Sequence, residues 1–181
     1  MNHAKHVDEL RANARKHLGD GAVTANYGGD AATATDLLNQ ALATELTCVL
    51  RYRYHWVAAR GIASEAVKAE FFQHSQEELA HADRLAERIS QLGGHPGFDP
   101  AVIDGRSMTE FREGKDLRDM IQEDLVAERI AVEHYRELVR YFGDHDPTTR
   151  RMLEEILAQE ERHANDMHDL LVAHEGKLPH E

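Results

Sequence analysis

Glu78-Leu79-Ala80-His81 and Glu160-Glu161-Arg162-His163 spell Glu-x-x-His twice, each inside a long stretch of helical periodicity. On an α-helix residues i and i+3 share a face, so each copy aims a carboxylate and an imidazole the same way. Two further periodic stretches carry a lone Glu on the apolar stripe, Glu45 and Glu128. A chain with this pattern must gather four carboxylates and two imidazoles in its own interior. The pattern predicts an all-α four-helix bundle with a carboxylate-bridged two-metal site.

The four helices follow from apolar steps of three and four residues. The first runs from about Thr33 to Arg60, with Leu38, Ala41, Leu42, Glu45, Cys48, Val49, Tyr52 and Trp56 on one face and Gly61 as its stop. The second starts near Ser64, a plausible N-cap, carries Val67, Phe71, His74, Glu78, His81, Leu85, Ile89 and Leu92, and ends at Gly93-Gly94. A loop rich in breakers, His95-Pro96-Gly97-Phe98-Asp99-Pro100, continues to about Gly114. The third helix, about Lys115 to Phe142, aligns Leu117, Ile121, Asp124, Leu125, Glu128, Val132, Tyr135, Val139 and Phe142, and Gly143 closes it. Asp146-Pro147 then reads as an N-cap followed by a first-turn proline, and the fourth helix reaches about His174 with Met152, Leu153, Ile156, Glu160, His163, Met167 and Leu170 inward. Upstream, residues 1–30 form an arm and loop, with a short polar helix expected over Asp8–Leu18; residues 31–175 form the bundle and 176–181 a tail.

A 28-residue helix spans about 42 Å. The first and last links are short, so each helix pair is an antiparallel hairpin; the middle link of roughly twenty residues can travel a helix length. The result is two hairpins joined by one long crossover. The halves repeat: Glu45 precedes Glu78 much as Glu128 precedes Glu160, which brings all the polar groups to one level.

Leaving an ionised carboxylate stranded in a core costs several kcal/mol, and four together also repel. No Lys or Arg stands on the stripes at the level of Glu45, Glu78, Glu128 and Glu160. Two divalent ions would cancel four carboxylates, with His81 and His163 binding as neutral imidazoles. Oxygen and imidazole donors without thiolate favour iron or manganese. The expected division has Glu78 and Glu160 bridging, Glu45 and His81 on one ion, and Glu128 and His163 on the other. Tyr52, two turns after Glu45, is a candidate partner for a bridging group, though a core tyrosine is the simpler reading. Glu77, Asp124 and His74 are candidates for supporting the ligands or for an iron route, though flank residues facing solvent or an interface are the simpler reading. Glu161 reads as exposed and Cys48 as a small core residue.

Composition narrows the functional classes. Asp plus Glu number 33 against 21 Lys plus Arg, a formal charge of −12, which disfavours nucleic acid and favours cations. No apolar run is long enough for a membrane span, no secretory signal is visible at the N-terminus, and a single cysteine fits a reducing cytoplasm.

Leu38-Asn39, Glu45-Leu46, His81-Ala82-Asp83-Arg84, Glu87-Arg88-Ile89, Asp124-Leu125, Glu128, Glu155-Ile156-Leu157, Glu160-Glu161 and His163 together resemble the bacterioferritin branch of the ferritin-like superfamily over about residues 35–172. The resemblance implies a ferritin-like bundle and a hollow homo-oligomeric cage. Its subunits would oxidise Fe(II) with O₂ or H₂O₂ at an internal di-iron centre and store ferric mineral. It carries the ligand roles onto Glu45, Glu78, His81, Glu128, Glu160 and His163, with two iron ions per subunit or manganese in their place. Bacterioferritins bind haem through a methionine just after the second-helix Glu; Leu79 stands there, so no haem of that type is expected. The family's short fifth helix has no counterpart in the few residues after His174, which favours a 12-subunit shell like that of the Dps-like mini-ferritins over 24 subunits. Some Dps proteins hold DNA with a basic tail; residues 1–30 balance Lys5, Arg11, Arg15 and Lys16 against Asp8, Glu9, Asp20 and Asp30, so DNA binding is not expected. Two other classes use such ligands or shells: a di-iron hydroxylase or dimanganese catalase, which oxygen evolution from H₂O₂ would reveal, and a DNA-protecting shell, which a mobility shift would reveal.

Overall fold

The computed structural model describes residues 3–16, 18–21, 23–24, 26–61 and 64–175. Their helices in chain order are α1 (His3–Asn13), a 3-10 turn (Leu18–Asp20), α2 (Ala31–Ala58), α3 (Ser64–Gln91), α4 (Pro100–Arg106), α5 (Leu117–Phe142) and α6 (Pro147–Glu175). Helices α2 with α3 and α5 with α6 form the two hairpins, and the pairs join through α2 on α5 and α3 on α6. This is the all-α bundle that the Glu-bearing stripes predict. Among the described residues no helix is long and apolar enough to cross a membrane.

Local chemistry sets the helix ends. Asp30 caps α2 by accepting from the Ala32 amide, and Asp116 caps α5 by accepting from the Asp119 amide. At the end of α3 the Gly94 amide bonds back to the Ile89 carbonyl at 2.9 Å while Gly93 sits at φ 81°, a Schellman closure that suits glycine. A Cβ on Gly94 would also lie 2.7 Å from the Thr35 side chain, so the turn passes tight against α2.

Three expectations shift. Ser64 is the first residue of α3, not its cap, and its hydroxyl donates to the Gly61 carbonyl. The N-terminal helix spans His3–Asn13, not Asp8–Leu18; none of its residues is buried, so no core packing fixes its ends. The crossover is not all loop: Asp99 accepts from the Ala101 amide and Pro100 opens α4, the same Asp-Pro start that begins α6. Residues 176–181, read from the sequence as a tail, lie outside the described residues.

The core divides into two apolar parts. One gathers Leu38, Leu42, Leu85, Ile89, Leu138, Phe142, Leu153 and Ile156; the other gathers Cys48, Phe71, Ile121, Met167 and Leu171. Along every long helix the stripe Glu falls between residues of the first part and residues of the second. The polar level is thus sealed above and below.

Polar side chains of α2 pin the crossover along its length. Asn39 takes the Gly97 amide at 2.8 Å and donates to the His95 carbonyl; Thr44 takes the Met108 amide; Arg51 donates to Thr109 and the Glu110 carbonyl; His55 meets the Arg112 carbonyl. Asp124 of α5 closes this network, 2.8 Å from Arg51 Nε and 2.8 Å from His55 Nδ1, with all three side chains buried. Asp124 is therefore not a flank residue, contrary to the sequence reading; its charge is matched by Arg51. Replacing Arg51 with Met should cost about 3 kcal/mol of unfolding free energy, because it leaves a buried carboxylate short of its cation. Denaturant unfolding checks the loss, and faster amide exchange in 107–112 checks its location.

Candidate metal centre

The structure brings all six expected residues together. Glu45 comes from α2, Glu78 and His81 from α3, Glu128 from α5, and Glu160 and His163 from α6, and each is no more than 1 % exposed. Glu45, Glu78, His81 and Glu160 form one compact group, and Glu78, Glu128, Glu160 and His163 form a second; within each, one ligand atom per residue lies within 4.8 Å of the others. Glu78 and Glu160 belong to both groups.

Each imidazole turns Nδ1 inward. His81 Nδ1 lies 2.8 Å from Glu160, 3.3 Å from Glu78 and 3.4 Å from Glu45, and His163 Nδ1 lies 3.0 Å from Glu78. The outward nitrogens are engaged: His81 Nε2 with Gln159 Oε1 at 3.1 Å, and His163 Nε2 with Glu77 Oε2 at 2.6 Å. An Nε2–H donated outward leaves the Nδ1 lone pair pointing at the carboxylates, the tautomer a metal needs. Glu77 thus serves the site rather than the solvent. Gln159, unread in the sequence, holds the matching place in the other half: each immediately precedes the Glu of its Glu-x-x-His, and each reaches across to the other half's histidine.

The hydroxyls repeat the symmetry. Tyr52 donates to Glu128 Oε1, and Tyr135 donates to Glu45 Oε1. Each tyrosine stands seven residues after a stripe Glu and serves the opposite one. Tyr52 is a fully buried tyrosine with its hydroxyl satisfied, but the acceptor is a stripe carboxylate. Periodicity places Tyr135 on the α5 stripe but gives it no role, although the Glu45/Tyr52 and Glu128/Tyr135 spacings are equal. His74, expected on the flank, is fully buried and stacks on His163 with ring centroids 4.1 Å apart.

Three carboxylate oxygens, Glu45 Oε2, Glu128 Oε2 and Glu160 Oε1, are buried with no hydrogen-bond partner. Glu160 Oε1 is close to His81 but lacks hydrogen-bond alignment. Orphaned acceptors in a dry core are costly, and three of them beside two inward imidazole nitrogens form a donor set that fits divalent ions once those nitrogens are deprotonated.

Without ions, protons take that place. Burial and the Glu78 charge raise Glu45 well above the carboxylate range, burial with Glu78 and Glu160 does the same to Glu128, and Glu160 is pushed up to about 8. Glu78 is held low: burial opposes this, but hydrogen bonds from Glu45, His163 and His81 outweigh it. His163 rises to about 9 despite burial, through its bonding and attraction to Glu78 and the Glu128 charge.

The family of the chain follows from comparison as well as geometry. The Ferritin family, a ferritin-like domain, matches residues 35–175, and the chain belongs to the ferritin-like family. A bacterioferritin of Rhodobacter capsulatus is 31 % identical over 140 residues, covering 76 % of this chain and 81 % of that protein. Among solved structures, the dodecameric thioferritin of Bacteroides fragilis, a bacterioferritin-related protein, superposes with a TM-score of 0.77 at 29 % identity, over 80 % of this chain and 87 % of that one. The Rhodobacter capsulatus bacterioferritin, solved with a metal-free dinuclear site and a haem iron, gives 0.71 at 27 % identity over 80 % and 86 %.

Glu160 and His163 both bind protons more tightly folded than unfolded, where carboxyl and imidazole titrate at about 4.3 and 6.5. Their stabilisation is complete below those ordinary values and is lost as pH rises through about 8 and about 9. The melting temperature of metal-free protein should therefore fall across that window, while a saturating divalent ion flattens the profile by replacing the protons. Replacing Gln159 with Leu should weaken divalent-ion affinity by about 10- to 100-fold, measured by calorimetry, through loss of the His81 orienting bond.

Proposed function

We propose that the protein is an iron-storing ferroxidase. The observation that carries this reading is the pair of overlapping four-residue groups sharing Glu78 and Glu160. Fe(II) is the substrate. Glu45 and His81 hold one ion, Glu128 and His163 the other, and Glu78 and Glu160 bridge them. Two Fe(II) give up two electrons to O₂ or H₂O₂ and leave as Fe(III); manganese is the alternative occupant. The carboxylates supply anionic oxygen donors that favour the ferric product, and the sealed apolar layers keep bulk water from the reacting pair. Tyr52 and Tyr135 hold Glu128 and Glu45 in place, and Glu77 and Gln159 hold the histidines.

We further propose a homo-oligomeric shell, of 12 subunits in preference to 24. Support comes from the dodecameric relative and from apolar side chains left exposed on outward faces: Leu50 and Val57 on α2, Val126 and Ile130 on α5, and Met108 and Phe111 on the crossover. Leu79 offers no sulfur for haem, and the acidic chain suits ferrous cargo better than DNA.

Aerobic Fe(II) titration followed by ferric absorbance tests storage: oxidation should continue to many irons per subunit, and a halt at two would refute it. Glu128→Ala should slow the initial oxidation by at least about tenfold while leaving the assembled mass unchanged by light scattering; with Glu128 removing a ligand rather than a packing group, the effect belongs to the chemistry.

A further inference from the structure

One turn from the six-residue cluster, towards the start of α3, lies a second group that the ferroxidase reading does not use. His74 of α3 is fully buried, and its Nε2 has no hydrogen-bond partner. That nitrogen points between two carboxylates at the surface: Asp166 Oδ2 of α6 at 3.4 Å and Glu70 Oε2, one turn back on α3, at 3.9 Å. Both acids are partly exposed, 53 % and 41 % by side chain. With Asp169 and Leu170 they line an open recess of about 250 Å³.

The tautomer of His74 can be read from its other nitrogen. Nδ1 lies 3.2 Å from the Tyr52 hydroxyl oxygen. That hydroxyl has committed its hydrogen to Glu128, so its oxygen accepts and His74 Nδ1 donates. In the neutral ring the proton is then on Nδ1, and Nε2 presents a lone pair. Three acceptors face one another with no hydrogen among them. Such an arrangement is stabilised by a cation placed between them. Glu70, His74 and Asp166 each offer one ligand atom within 4.8 Å of the others. Donors bound at about 2.0–2.2 Å stand about 3.0–3.5 Å apart. Asp166 Oδ2, at 3.4 Å from His74 Nε2, already meets that spacing, and Glu70 Oε2, at 3.9 Å, reaches it by a small side-chain movement.

We propose that Glu70, His74 and Asp166 form a third divalent-cation site, open to solvent and distinct from the dinuclear cluster. One imidazole and two carboxylates suit a first-row divalent ion such as Fe(II), Mn(II) or Zn(II), with waters from the recess completing its coordination. The buried imidazole fixes the position, held by Tyr52 on one side and stacked on His163 on the other. The two exposed acids supply the charge. The site thus touches the dinuclear cluster through Tyr52 and His163 while sharing no ligand with it.

Mn(II) is the probe, because it resists oxidation and scatters anomalously. Crystals of the full chain soaked in Mn(II) should give an anomalous peak about 2.2 Å from His74 Nε2, in addition to peaks among the six clustered residues. The double variant Glu70→Gln with Asp166→Asn alters only partly exposed side chains, and in it the His74 peak should vanish while the cluster peaks remain. In solution, bound Mn(II) counted by equilibrium dialysis should fall by one ion per chain. Absence of the His74 peak at a concentration that fills the cluster, a water in its place, or a peak that survives both substitutions would overturn the proposal. A His74 peak with an empty cluster would instead sink the ferroxidase reading and leave this site standing.

Discussion

Burying four carboxylates between two apolar layers is the constraint on which the rest of the structure depends. Each charge taken from water costs several kcal/mol, and their mutual repulsion adds to that. The buried cation nearest in kind, Arg51, is committed to Asp124 and to the crossover. Two of the buried polar systems among the described residues are therefore of opposite design. The Arg51–Asp124–His55 network carries its own countercharge and ties the crossover to α2 and α5. The Glu cluster lacks enough internal countercharge and relies on protons or metal ions.

The cluster is built twice over by an approximate twofold relation. Each half supplies a lone Glu, a tyrosine seven residues later, and a Glu-x-x-His preceded by a hydrogen-bonding residue. Four supporting contacts cross between halves: Tyr52 to Glu128, Tyr135 to Glu45, Glu77 to His163 and Gln159 to His81. Each hairpin supplies contacts that orient the other's ligands. Docking of the hairpins and completion of the site are thus one event, which links metal affinity to the integrity of the whole bundle.

Much of this was legible in the chain. Periodicity and caps located the four long helices to within two or three residues, because amphipathic stripes and Asp or Gly stops act locally. The six clustered residues were visible because acids on an apolar stripe violate the ordinary inside–outside rule. Helix α4 was readable too, from Asp99-Pro100, yet the neighbouring Pro96 and Gly97 argued for loop. Gln159, and the partners of Tyr135 and Glu77, follow from carrying the internal repeat past the ligands to the adjacent positions. His74 and Asp124 stood on the stripes, but the general tendency of His and Asp to face solvent overrode the pattern. Their partners were out of reach: Arg51 meets Asp124 and the crossover only once residues 107–112 are laid along α2, a tertiary event with no local signature.

The central claim is that these carboxylates are kept for their ions and weaken the bare fold. Chemical denaturation of metal-free protein at neutral pH tests it directly, comparing the native chain with one carrying Glu45→Gln, Glu128→Gln and Glu160→Gln. Amides of the same shape need neither a proton nor a cation to be neutral, so the substituted chain avoids the cost of protonating or charging these groups at neutral pH. It should be at least as stable as the native one and should gain little from added divalent ion. A substituted chain that unfolds more readily than metal-free native protein would mean that the acids hold the bundle together by themselves, and the account would fail.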